Sequence, residues 1–197
     1  MAGILKVDRI QSDSNLAFAI AGSNVAFMNA TSLQMTSSNI SLGGTNVITN
    51  GKLVTAAQPT GAVLQVVNAT YASETSTTSS SYADTGLTVS ITPTSSSSKI
   101  LVLISQRFFA NPANGNDGGG NVKVLRGATT LITATRVGLS DSTGAMDNYF
   151  TTSYLDSPAT TSSITYKTQF AIFSTLGSFI TQLSSSPSGI TLMEISA

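Results

Sequence analysis

Apolar and polar residues alternate strictly from Gly86 to Thr92, so that Leu87, Val89 and Ile91 fall on one side of an extended chain. A period of two residues is typical of a β-strand with one buried face, and it does not fit a helix. The segment from Ile164 to Phe173 has the same period. From residue 61 to the C-terminus we count roughly eight such strands between turn-forming residues. We therefore predict an all-β chain whose C-terminal domain is an antiparallel β-sandwich or jelly roll.

Two of these strands are expected at the centre of a sheet. Lys99 to Phe109 begins with a continuous apolar run, which predicts a strand buried on both faces. Ile190 to Ile195 ends the chain and is also predicted to be central. By contrast, Asn111 to Asn121 and Arg136 to Asn148 are rich in Gly, Asn and Ser, so we predict that they are loops.

Residues 14–51 have a different pattern, in which a polar residue precedes an aliphatic one at short intervals. The aliphatic members are nine, eight, seven and seven residues apart: Leu16, Val25, Leu33, Ile40 and Val47. Each unit has room for a short strand and a turn, and it buries its narrow apolar face only by stacking on neighbours. We predict a fibrous short-strand segment that is intertwined with other copies of the chain. The alternative is a disordered linker rich in Ser, Thr and Asn.

The chain carries few charges for its length. Its 197 residues include nine basic and nine acidic side chains, which gives a charged fraction of 9% and a formal net charge of zero. This composition lacks the basic field that binding to nucleic acid or to an anionic membrane requires, so neither partner is predicted. The longest apolar runs are far shorter than a membrane-spanning helix, and the first residues do not resemble a signal peptide. We expect a soluble product made in a cytoplasm.

Histidine and cysteine are both absent from the sequence. Disulfides, thiolate metal sites and the commonest general base are therefore excluded. The segment Asn114 to Asn121 offers oxygen ligands of the kind that Ca²⁺ prefers, but it contains one carboxylate and lacks the bidentate Glu of a calcium loop. The sequence predicts no cofactor, no metal site and no catalytic residues.

Several stretches resemble one class of viral proteins. GAVLQVV, SYADTGLTVSITPTSSSSKILVLI, SYLDSPATTSSITYKTQF and SGITLMEI resemble the C-terminal domain of phage fibre and other virion-surface proteins, particularly from marine tailed phages. The opening MAGILKVDRIQSDSN is similar to the start of such proteins, where the N-terminal part attaches to the particle. The resemblance implies a virion structural protein, commonly a homotrimer, without enzymatic activity. It leaves the location in tail or capsid open.

These arguments divide the chain into an N-terminal attachment and trimerisation segment, residues 1–60, and a C-terminal sandwich knob, residues 61–197. Attachment to other virion proteins is assigned to the charges of the first strand, for which a solvated strand face is the alternative: Lys6, Asp8, Arg9 and Asp13. Packing in the trimer is assigned to apolar residues of the repeat: Leu16, Phe18, Val25, Phe27, Leu33 and Ile40.

Contact with a host surface glycan or protein is expected from loops on a rigid sandwich. The candidates are polar residues of the two predicted loops: Asn114, Asn116, Asp117, Asp141, Asp147 and Asn148. Nearby aromatic residues, Phe109, Tyr149 and Tyr154 among them, suggest such contacts. For Phe108, Phe150 and Phe170 we instead predict packing in the core or between subunits.

Three functions agree with the sequence. The first is a trimeric fibre or spike that is held to the particle by its N-terminal segment and presents a host-facing domain. The second is a capsid decoration or cement protein whose N-terminal arm lies along the shell. The third is a small glycan-hydrolysing tailspike, which needs two carboxylates across a sugar, such as Asp117, Asp141 or Asp147. Acidic residues spread over turns also follow from turn chemistry alone.

Overall fold

The computed structural model describes residues 40–42, 45–49, 52–53, 58–113, 117–140, 144–173 and 177–197. This part of the chain consists of β-strands, turns and one short 3-10 turn at Leu183–Ser185, so the all-β prediction is confirmed. No helix in it is long and apolar enough to cross a membrane. Three short strands come first and pair antiparallel in chain order: β1 (Ile40–Leu42), β2 (Thr45–Thr49) and β3 (Lys52–Leu53).

The remaining strands of the described chain form a sandwich of two sheets. In chain order they are β4 (Val63–Tyr71), β5 (Thr75–Thr77), β6 (Ala83–Ile91), β7 (Lys99–Asn111), β8 (Gly118–Arg126), β9 (Thr129–Ser140), β10 (Met146–Asp156), β11 (Ile164–Ile172), β12 (Ser178–Thr181) and β13 (Ser188–Ile195).

The first sheet is built around β7. One side of β7 pairs along most of its length with β10. The other side pairs with β13 near the start of β7 and with β12 near its end, so β12 and β13 follow one another in a single lane. In the same way, β4 pairs with β13 and β5 pairs with β12. The sheet therefore has four lanes, in the order β10, β7, β12 with β13, and β4 with β5. The last strand is central, as predicted.

The second sheet has the order β6, β11, β8, β9. The eight lanes can be numbered along the chain, with β4 and β5 together as lane one and β12 and β13 together as lane eight. Read from the edge formed by β4, the first sheet then has the lane order one, eight, three, six, and the second sheet, read from β6, has the order two, seven, four, five. This interleaving of eight antiparallel lanes between two sheets is the jelly-roll topology. The predicted sandwich is thus confirmed, and the structure specifies its topology.

The core lies between the two sheets and follows the predicted alternation. Leu87, Val89 and Ile91 of β6 are buried, as are the even-numbered positions of β11 from Tyr166 to Ile172. At one end of the core, the rings of Phe108 and Phe179 stack with centroids 4.9 Å apart, and Phe170 packs on both at 6.2–6.3 Å. These spacings are typical of favourable aromatic pairs. The predicted packing role of Phe108, Phe150 and Phe170 is therefore a core role within the chain.

The structure corrects the prediction that β7 is buried on both faces. Its even-numbered residues from Ile100 to Ala110 are buried, whereas Leu101 and Leu103 on the other face are half-buried. The reason is that the second sheet packs against only one face of the first. An apolar run at the centre of a sheet thus did not mean that both faces are covered by the described chain.

The structure also corrects the two predicted loops. Gly118 to Asn121 belong to β8, and Asp147 and Asn148 belong to β10, which leaves a much shorter connection between β9 and β10. Gly119 and Gly120 of β8 lie where space is short. A Cβ atom on Gly120 would collide with the ring of Phe179 and lie 2.6 Å from the carbonyl oxygen of Ala171. Sequence rules that treat Gly-rich stretches as loops miss this kind of close packing.

Many residues with predicted roles lie outside the described ranges. These are Lys6, Asp8, Arg9, Asp13, Leu16, Phe18, Val25, Phe27, Leu33, Asn114, Asn116 and Asp141. Ile40 belongs to β1. The attachment and trimer-packing assignments, and the division at residue 60, remain predictions.

We predict that Gly120→Ala destabilises the sandwich by about 1–3 kcal/mol, because the new methyl group forces Phe179 or the backbone of β11 to move. Thermal or denaturant unfolding of the full chain measures this effect. Gly144→Ala is the matched control, since no atom lies within 4 Å of the position of its Cβ. Equal stability of the two variants would contradict the proposed packing of Phe179.

Candidate functional site

The sandwich has two distinct ends. At the near end the chain enters β4 and leaves β13, and the two passages are hydrogen-bonded to each other: Gly61 N–H donates to the carbonyl of Ser196, and Ser196 N–H donates to that of Ala62, both at 2.9 Å. The far end lies beyond the last residues of β7. Since β7 has 13 residues, the two ends are roughly 40 Å apart.

Four connections meet at the far end: 78–82, 112–117, 141–145 and 173–177. The pairing of Met146 with Ala110 and of Gly118 with Ser140 brings the second and third of these connections together. Backbone hydrogen bonds bring the first and fourth connections to the same place. Ile172 N–H donates to the carbonyl of Ser79, and Phe173 N–H donates to the carbonyl of Gly119. The described residues that border the connections within both predicted receptor loops therefore lie at the same end of the sandwich. Residues 114–116, 141–143 and 174–176 lie outside the described ranges.

Asp147 is engaged at the far end by Arg107. The guanidinium group donates from Nε to both carboxylate oxygens, at 2.8 and 3.1 Å, and Nη2 also contacts the carboxylate. Arg107 Nη1 donates to the carbonyl of Leu183 at 2.9 Å, which fixes the arginine against the first sheet. Hydrogen bonds from Arg107 hold the pKa of Asp147 below its usual value. This ionised, paired carboxylate suits a structural role better than that of a general acid.

The other described candidates are placed as follows. Asp117 is exposed directly before β8. The side-chain oxygen of Asn148 accepts a bond from the backbone N–H of Tyr149 at 2.8 Å, so it is partly used locally. Tyr149 itself is 56% exposed, opposite Arg107 on the outer face of the first sheet. An exposed aromatic ring beside polar connections is a feature of surfaces that bind sugars or proteins.

Buried polar clusters occupy the near end instead. Asp156 in β10 accepts a bond from Tyr166 Oη at 2.6 Å and two from Arg126 Nη1, at 2.8 and 2.9 Å. Because Asp156 belongs to the first sheet and its partners to the second, this cluster ties the sheets together. Burial and the bond to Asp156 raise the pKa of Tyr166 well above its ordinary value, so the hydroxyl stays protonated.

Glu194 forms a second near-end cluster, and its side chain is completely buried. It accepts bonds from Gln65 Nε2 at 2.6 Å and from the backbone N–H and hydroxyl of Thr94, both at 2.7 Å. Burial alone would raise the pKa of Glu194. The hydrogen bonds that its carboxylate accepts, from Gln65 and Thr94 among others, lower the pKa by more than burial raises it, so the pKa lies below its ordinary value. The cluster fixes the connection between β6 and β7 to the last strand.

A polar recess of about 330 Å³ lies beside this second cluster. Its walls include Thr94, Ser95, Ser97, Ser98 and Ser196. The recess belongs to the end at which the chain enters, so it is remote from the far-end connections. Among the described residues no group of three or more acidic side chains could hold a metal ion. The glycan hydrolase hypothesis depends partly on Asp141, which lies outside these ranges, so it remains a prediction.

Sequence analysis missed Arg107, Asp156 and Glu194. Arg107 and Glu194 are charged residues within largely apolar strands, and Asp156 is the last residue of β10; in a chain with few charges such positions are themselves a signal. A buried charge requires partners, so these residues could have been predicted to form structural pairs. Their partners could not have been predicted, because they come from segments up to 129 residues away.

Comparison of the sequence with known protein families and with curated proteins finds no match. Solved structures of infectious bursal disease virus are similar at low level. T=1 particles derived from this virus give 16% identity and a TM-score of 0.35, with 68% of this chain and 36% of that chain covered. The VP2 subviral particle gives 17% identity and a TM-score of 0.30, with 68% and 38% covered. The chain spans little more than a third of the length of these proteins.

The depressed pKa of Glu194 predicts a specific pH dependence of stability. A carboxylate whose pKa is lower in the folded than in the unfolded state stabilises the fold above its ordinary pKa of 4.5, and this contribution disappears as the pH falls through the folded value. Glu194→Gln should therefore be less stable than the wild type at pH 7 and should lose less stability on acidification. Denaturant unfolding between pH 7 and pH 3 measures both effects.

Asp117→Asn is the control for this experiment, because Asp117 is exposed. It should leave both the stability at pH 7 and the acid dependence close to those of the wild type. An acid dependence of Glu194→Gln that matches the wild type would show that Glu194 is not held ionised by its partners.

Proposed function

We propose that this chain is a non-enzymatic structural protein of a bacteriophage virion, a homotrimeric tail fibre or spike. Residues 1–60 attach it to other virion proteins and join three chains. The sandwich then presents its far end to the host surface, where it binds a glycan or a protein receptor. The resemblance of the sequence to phage virion-surface proteins supports the class, and jelly rolls are common in viral capsid and lectin domains.

The observation that carries the proposal is the separation of the two ends of the sandwich. The N-terminal segment joins the sandwich at the near end, where Gly61 and Ser196 are hydrogen-bonded. Both predicted receptor loops reach the far end, roughly 40 Å away. A particle that holds the chain by its N-terminal segment would therefore leave the far-end connections free. Binding loops held by a rigid β-scaffold are a common arrangement for recognition.

The chemistry of the surface supports the same role. With 9% charged residues, the chain depends on hydroxyl and amide groups for its hydration. Such a surface has little long-range electrostatic attraction for nucleic acid or membranes. Neutral hydrogen-bonding groups and an exposed Tyr149 suit a neutral partner such as a glycan, which is recognised by hydrogen bonds and apolar contacts.

Cross-linking in intact particles distinguishes the fibre from a capsid decoration protein. Because Lys52 is the only lysine or carboxylate between residues 14 and 60, the linker is a photo-reactive benzoylphenylalanine placed at Asp8, Ser32 or Lys52. If the chain is a fibre, the group at Asp8 should link it to virion proteins, whereas the groups at Ser32 and Lys52 should not. If it is a decoration protein, cross-links to capsid subunits should occur along the whole N-terminal segment. Absence of the chain from purified particles would disprove both.

A second prediction concerns host adsorption. Particles that carry Tyr149→Ser should adsorb to host cells roughly tenfold less, because truncation of a tyrosine that anchors an interface costs more than about 1 kcal/mol. Ala128→Ser, in the exposed turn at the near end, is the control and should adsorb normally. Unchanged adsorption of both variants, with normal incorporation into particles, would argue against receptor binding through this part of the far end.

A further inference from the structure

The outer face of the first sheet carries a continuous apolar row across all four lanes. Val66 pairs with Met193, Met193 with Leu101, and Leu101 with Leu155. Directly paired residues project from the same face of a sheet, and the opposite face here belongs to the core. Val66 and Leu155 are 56% and 51% exposed, while Met193 and Leu101 are half-buried. We call the surface formed by these four residues, together with Val63 and Ile195 below them, the apolar outer face.

The second sheet shows what a solvated outer face looks like in this protein. Thr88 pairs with Lys167, and Ser90 with Thr165, on the outside of that sheet. Lys167 Nζ donates to Asp84 at 2.9 Å, and Gln169 Nε2 donates to the same carboxylate at 2.8 Å. These outer positions of the second sheet carry hydroxyl, amide and charged groups, whereas the near-end rows of the first sheet present large aliphatic side chains. In the next row of the first sheet, the polar pair of Asn68 and Thr191 bounds the apolar rows. A contiguous apolar surface on one side only marks an interaction site.

We propose that the apolar outer face is where sandwiches of different copies of this chain pack together. The inference rests on the proposed function, in which residues 14–51 join three chains. Val63 is the first residue of β4, so the chain enters the sandwich at the border of this face. The face lies at the near end, beside Lys99 at the start of β7. If the preceding segment joins three chains, it holds their near ends, and with them these faces, close together.

This attachment also explains why a moderate apolar area suffices. Once the N-terminal segments are joined, association of the sandwiches is intramolecular, and its effective concentration is high. A face of about six aliphatic residues, half of them partly covered already, would not hold free chains together strongly. When the N-terminal segments already hold the chains together, the apolar outer face has only to orient neighbouring sandwiches.

The charges around the apolar outer face permit contact between identical copies. In a homotypic interface each charge meets symmetry-related copies of itself or its neighbours, so unpaired charges repel. Within the described strands, Arg107 is neutralised by Asp147 at the far side of this face. Lys99, which pairs with Ile195, is exposed at the near-end border of the apolar outer face, and its side chain can extend from there into solvent. The aliphatic row between them carries no charge.

A photo-cross-linker placed in the face tests this contact in the full chain. Leu155→benzoylphenylalanine should give covalent dimers on illumination, and the linked peptide should come from residues 61–197 of another copy. The matched control is Thr133→benzoylphenylalanine, which lies exposed on the outer face of the second sheet and should give severalfold fewer dimers. Adding Val66→Glu to the Leu155 variant should abolish the dimers, because it places like charges in the interface.

The outcomes separate this inference from the proposed function. Light scattering that shows a trimer, with cross-links from position 155 to residues 1–57, would mean that the N-terminal segment covers the face, and would overturn the inference alone. A trimer in which position 155 gives no more dimers than position 133 would overturn it as well. A monomeric wild-type chain would overturn both this interface and the trimeric fibre. Melting of each variant by circular dichroism checks that the sandwich is intact.

Discussion

The sandwich depends on how closely its two sheets approach at the far end. Phe179 stacks on Phe108 within the first sheet and lies directly over Gly120 of the second. A side chain at position 120 would push the sheets apart at the place where four connections meet. The same aromatic contact that closes the core therefore also positions the candidate recognition surface, so the stability of the fold and the geometry of its far end are coupled.

Sequence alternation was sufficient to predict the sandwich, because one buried face per strand leaves a period of two in β6 and β11. It could not predict which strands are neighbours, since β4 pairs with β13 from the opposite end of the domain. The prediction of loops from glycine content was wrong about two strand boundaries, the start of β8 at Gly118 and the start of β10 before Asp147. Glycines occur inside strands because β8 packs closely against Phe179 and because the pairing of β8 with β9 contains bulges. The candidate receptor residues were assigned by composition alone, and only the topology brings their segments to one end.

Six of the few charged residues of the described chain form specific pairs or hydrogen bonds. Asp156 and Glu194 fasten the near end internally, Arg107 and Asp147 fasten the far side of the first sheet, and Asp84 and Lys167 lie on the solvated face. Each of these six residues is engaged by a partner, and the formal net charge of the chain is zero, so the net field around the sandwich is weak. If this chain recognises a partner as proposed, it must rely on shape and short-range hydrogen bonds, and the proposed assembly of copies should be insensitive to ionic strength.

The chain enters and leaves the sandwich at the same end, which determines how the strands would carry a pulling force. If the particle pulls at residue 58 and the host holds the far end, tension runs along the strands. The ladder bonds that join antiparallel strands lie perpendicular to that direction, so the pairing of β4 with β13 and of β13 with β7 is loaded in shear. Many bonds then resist at once, in contrast to a sheet that is peeled open from one edge. The near-end hydrogen bonds of Ser196 with Gly61 and Ala62 let the first and last strands share the load.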